Sequence, residues 1–98
     1  MARKKMKSQI TKTYMETPLE GGGMRYAETI TTHRPDQGTT QVSTTGLEAR
    51  ADGSCWHTFT ITHFWGTQAG SEHEVSAEYM AKGVQVFRGE HAKHLLEG

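Results

Sequence analysis

Cys55-Trp56-His57-Thr58-Phe59-Thr60-Ile61-Thr62-His63-Phe64-Trp65 decides how this chain of 98 residues is read. Bulky and polar residues alternate along it with a period of two, which is the signature of a strand with two distinct faces. Cys55, His57, Phe59, Ile61, His63 and Trp65 fall on one parity and make the better core face. Trp56, Thr58, Thr60, Thr62 and Phe64 fall on the other, a threonine row with aromatics at its ends. Packing a helix on the first face is expected to bury Phe59, Ile61 and Trp65.

Upstream, Ala51-Asp52-Gly53-Ser54 carries the Asp-Gly pair favoured in tight hairpins. Thr39–Arg50 before it reads as a strand, with Gly46 suggesting a bulge. Arg34-Pro35-Asp36-Gln37-Gly38 is a turn, since Pro presets φ early and Gly supplies positive φ late. Met24–His33 and Ser8–Glu16 read as two further strands. They are separated by Thr17-Pro18-Leu19-Glu20 and the glycine run Gly21–Gly23.

Downstream of Gly66 the period changes. Ser71-Glu72-His73-Glu74 matches a capping box, and Val75, Tyr79 and Met80 follow at helical spacing. This predicts a helix over about 72–82 with Gly83 just past its end. Val84-Gln85-Val86-Phe87 alternates as a short edge strand would. Arg88-Gly89 reads as a turn, and 90–97 as two turns of terminal helix. The competing reading pairs 74–81 with 84–88 as a hairpin. The fold expected is α+β: an antiparallel β-meander of three to four strands, then a C-terminal helix and a short terminal helical segment. Residues 1–7 are expected to form a flexible basic arm and 8–98 a single small domain.

Composition limits what such a domain can do. Val, Ile, Leu and Phe together supply only 14 residues, while Thr alone supplies 14. Thr is β-branched and suits a pleated surface. A core this thin gains from a partner or an oligomer. The single cysteine, Cys55, rules out an intramolecular disulfide framework. No apolar run reaches the roughly 18 residues of a membrane span, and no signal-peptide pattern follows the basic N-terminus. The expected location is the cytoplasm, of a host cell if the chain is phage-borne, without membrane association.

Net charge is zero, yet Arg3, Lys4, Lys5, Lys7 and Lys12 give the first twelve residues +5, while the remainder holds six basic and eleven acidic side chains. A basic arm can bind phosphate backbones weakly by counterion release, or simply keep the chain in solution. The acidic body disfavours a whole-domain nucleic-acid face. It is also too weakly acidic for a DNA mimic.

Chemistry-bearing clusters are sparse. His91 and His94, three apart, could share a helical face with Glu90 and Glu97 nearby, but four-ligand zinc spacing is absent, and surface histidines without a metal are the expected reading. His57 and His63 stand roughly 20 Å apart along a strand and cannot share an ion. Cys55 and His57 point the same way without a third orienting group. Gly21–Gly23 lacks the Lys and Ser/Thr of a phosphate loop. Thr58, Thr60 and Thr62 resemble one row of an ice-binding array. Such arrays need the row repeated on neighbouring strands, for which Thr29/Thr31 and Thr44/Thr45 look like fragments.

The function expected is therefore binding without catalysis or cofactor. The chain would dock on a larger protein or ribonucleoprotein and regulate or inhibit it, as a monomer or homodimer. Trp56, Phe64, Trp65 and Phe87 are the candidate contact residues. Chains of this size are common in phages and mobile elements, where many block host machinery. A nucleic-acid-binding accessory protein using the arm is one alternative, and a virion or assembly component is another.

Overall fold

A computed structural model describes residues 7–92. Five strands, β1 (Gln9–Pro18), β2 (Gly23–Arg34), β3 (Thr39–Arg50), β4 (Cys55–Thr62) and β5 (Gln68–Val75), precede one helix, α1 (Ala77–Glu90). The strands form a single antiparallel sheet in the order β1-β2-β3-β4-β5. The architecture is thus α+β, with five strands rather than the three to four the sequence suggests. No described helix is long and apolar enough to cross a membrane.

Short turns join neighbours. Asp52 accepts from the Ser54 amide at 2.9 Å, and Gly53, at positive φ, closes the β3–β4 turn by donating to the Arg50 carbonyl at 3.0 Å. Gly66 does the same after β4, donating to His63 at 2.9 Å. The fourth strand therefore stops at Thr62, and Phe64 and Trp65 lie in a turn instead of extending the strand.

The segment read as the start of a helix, 72–75, is the end of β5. All its positions except Val75 are exposed, so no apolar alternation marks it. The strand exists because its backbone satisfies the outer edge of β4. The Ser71–Glu74 capping-box match is consequently a coincidence of strand residues. Ser76 is the true cap, accepting from the Tyr79 amide at 3.0 Å.

The helix also runs past the expected stop, through the residues read as an edge strand and a turn, and it equally displaces the alternative hairpin. Met80, Phe87 and, at the cap, His91 recur along one stripe that faces the sheet and is buried. Tertiary packing outweighs the weak helix propensity of Gly83, Val84, Val86 and Gly89. Gly83 is not a terminator. It sits mid-helix, where a Cβ would meet Leu47 Cδ1 at 2.5 Å, so its missing side chain lets α1 approach β3. Gly46 is not a bulge either, because the β2–β3 register runs through it unbroken. A Cβ there would meet Thr58 Oγ1 at 2.5 Å.

Leu47, Met80 and Phe87 form the buried core, with Tyr14, Tyr26, Ala49, Cys55, Val75 and Val84 packed around them. All of these belong to α1 or to the lower ends of the strands on one face. The expectation that Phe59, Ile61 and Trp65 are covered fails. Phe59 and Ile61 share that face but are only half-buried and stand outside the cluster, and Trp65 is 72% exposed. The parity chosen for the core is right, and only its lower half is roofed.

Candidate functional site

The opposite face of the sheet has no described element over it. Antiparallel register places its side chains in cross-strand ranks. One rank reads Thr13, Thr29, Thr44, Thr60, Gly70, and the next reads Thr11, Thr31, Val42, Thr62, Gln68. A third reads Met15, Ala27, Gly46, Thr58, Glu72. Across these ranks Glu72, at the sheet edge, is the only charged residue. Of the threonines taken as fragments in the sequence, Thr29, Thr31 and Thr44 thus join an array spanning four strands, while Thr45 falls on the helix side. Thr29 and Thr44 hydroxyls pair across β2 and β3 at 3.1 Å. Antiparallel strands alternate close and wide pairs and the sheet twists, so the array is not the flat lattice of an ice-binding solenoid.

Charge returns in the next rank, Thr17, Arg25, Glu48, Trp56, Glu74. Here Arg50 bridges Glu48 and Glu72 at 3.0 Å each and stacks over the Trp56 ring at 4.4 Å. Both acids, Glu48 first, favour its charged form. Trp56 Nε1 donates to Ser54 Oγ at 2.8 Å. The indole is therefore clamped on one face and tethered at its edge before any partner arrives. Beside it a shallow depression of about 530 Å³ is lined by Arg25, Glu48, Thr58, Thr60 and Glu72.

The sequence-derived contact residues do not form one patch. Trp56 stands at the charged end of the open face. Phe64 lies at the other end of the sheet, capped by the Arg34 guanidinium at 3.5 Å from the ring centroid. Trp65 projects from the same turn, stacked on His63 at 4.8 Å. Phe87 is 8% exposed and belongs to the core. Of the basic residues, Lys7 and Lys12 are exposed, while Arg3, Lys4 and Lys5 lie outside the described residues. Sequence reading missed Arg25, Glu48, Arg50 and Glu72, which only register brings together. The abundance of threonine was the available signal for the array.

A second cluster sits where α1 ends. His91, 4% exposed, pairs its Nε2 with Glu28 Oε2 at 2.7 Å and stacks on Tyr14 at 5.3 Å. Glu90 joins them, with ligand atoms of all three within 4.8 Å of one another. His91 thus does meet carboxylates that could hold a metal. However, Glu28 comes from β2, and His94 and Glu97 lie outside the described residues. Lys12 lines the same recess of about 360 Å³, and its ammonium competes with a cation there. Alongside, Arg88 grips Glu16 at 2.7 and 2.9 Å, and Glu16 accepts from the Tyr14 hydroxyl at 2.7 Å. These bonds, Arg88's first, hold Glu16 at about 2. Burial, then Glu16, raises Tyr14 well above the ordinary phenol range. The cluster fastens the helix end to β1 and β2.

Cys55 is half-buried between Ala49 and Val75. His57 pairs instead with His73 across β4 and β5, ring centroids 5.0 Å apart. No nucleophile–base pair is formed among these residues. No protein-family model, curated protein or solved structure matches the chain.

Proposed function

We propose that this chain is a small non-enzymatic binding protein that docks on a larger protein and modulates it, using the open threonine face as its platform. One observation carries the reading: three consecutive cross-strand ranks, mostly threonine and other small residues and charged only at Glu72 on the sheet edge, lie without a described covering element beside a pre-clamped Trp56–Arg50 corner. Small side chains let a flat partner surface approach closely. Tryptophan and arginine are both among the residue types enriched at interface hot spots.

Capture of partners from the native lysate after nuclease treatment tests it, with wild type run beside Thr60→Arg and Trp56→Ala. Retention by wild type and loss with both variants, at unchanged circular dichroism, is the expected result. Equal retention by all three overturns it. Deleting residues 1–7 separates the nucleic-acid alternative, since an arm-driven complex disappears together with its salt dependence.

A further inference from the structure

We propose that the unroofed half of the helix-side face is a self-association surface, on which a second copy of this chain seats with the two α1 helices side by side between two sheets. The proposal is independent of the docking face, which lies on the other side of the sheet.

A ridge and a trough lie next to each other there. The ridge is the outer flank of α1, where Tyr79 is 50% and Val86 57% exposed. The trough, a groove of about 370 Å³, runs between that flank and the sheet over Thr45, Leu47, His57 and Gly83. A surface carrying a ridge beside a trough is complementary to itself under a two-fold rotation. Val86 and Tyr79 of each copy would then fill the groove of the other.

The apolar surface continues beyond the groove. Register puts Ile30, Phe59 and Ile61 on this face, with Ile10 (63% exposed) at its corner. The charges in the region are of both signs and paired: Lys82, which lines the groove, meets Glu78 at 3.3 Å, and Glu28 meets His91 at 2.7 Å, with Lys12 at the β1 edge, so two copies would not repel strongly. Strand spacing and rise make the bare half-sheet about 20 Å on a side. With the helix flank this amounts to on the order of 700 Å² per copy, close to the standard interface size.

Sedimentation equilibrium of the full chain decides the matter. Wild type is expected to be a dimer. Val86→Glu and Ile61→Glu each place a carboxylate twice in the interface and are expected to weaken dimerisation about 100-fold, about tenfold per copy. Thr44→Arg, on the open face, is expected to leave it unchanged. Circular dichroism checks folding, and Val86 is exposed enough that its variant decides alone if Ile61→Glu unfolds. A wild-type monomer up to the solubility limit overturns the proposal. So does a dimer that survives Val86→Glu, or one abolished by Thr44→Arg. Partner capture through the threonine face can succeed or fail in any of these cases.

Discussion

On one side of the sheet, Leu47, Tyr26, Ala49 and Cys55 meet Met80 and Phe87 from α1. On the other, the same strands present Thr13, Thr29, Thr44 and Thr60 to solvent. Neighbouring residues of one backbone thus do opposite work. The first set supplies nearly all the apolar burial. The second offers β-branched bulk that favours the pleat and hydroxyls that water satisfies. The difference teaches that stability here is concentrated in a few contacts while recognition surface is spread widely, so mutations should separate the two.

Leu47→Ala is the sharpest way to break the comparison. Leu47 is 2% exposed, and its truncation is expected to cost about 3 kcal/mol by urea denaturation. Next is Gly83→Ala. On an open helix this change stabilises by about 1 kcal/mol. Here the new methyl meets Leu47, and a net loss of about 1 kcal/mol is expected. A gain would mean that α1 is not pressed against β3.

Glu16→Gln probes the clamp at the helix end. Arg88 and Tyr14 hold Glu16 at about 2, against an ordinary 4.5. Because the folded-state value is the lower one, the clamp's contribution is full above about pH 4.5 and drains away as pH falls through about 2. The variant should melt below wild type at pH 7, and the gap between their Tm values should close between pH 4.5 and 2. A gap that is constant with pH would show that Glu16 acts through packing. Smallest is Thr60→Ala on the open face, expected to stay within about 0.5 kcal/mol of wild type. A larger loss would mean that the threonine array is itself a structural element.

The meander was legible because its signals are local. Asp52-Gly53 and Pro35…Gly38 mark their turns, and alternation from Cys55 to Thr62 fixes both the strand and its inward parity. The C-terminal third was not. β5 is an edge strand whose helix-side positions, Ala69, Ser71, His73 and Val75, are mostly small or polar, opposite Gln68, Gly70, Glu72 and Glu74 on the open face, so its apolar alternation is too weak to read. Its Ser71…Glu74 spacing imitates a cap. Val84, Val86 and Gly83 suggest strand and stop, yet they lie in a helix because Met80 and Phe87 find Leu47 across the sheet. The docking corner was hidden for a related reason. Arg25, Glu48, Trp56 and Glu72 are distant in sequence and adjacent only through register. Trp56 alone stood out, by its size.

The topology has a consequence for how the chain comes into being. Every strand pairs with its immediate predecessor, so each hairpin can form as soon as it leaves the ribosome, with little loop entropy to overcome. The roof is made last. Until residues 77–91 emerge, a nascent sheet would display Leu47, Tyr26 and Ala49 to its surroundings. Synthesis paused before Ala77 should therefore leave a sticky intermediate that chaperones or sister chains can capture.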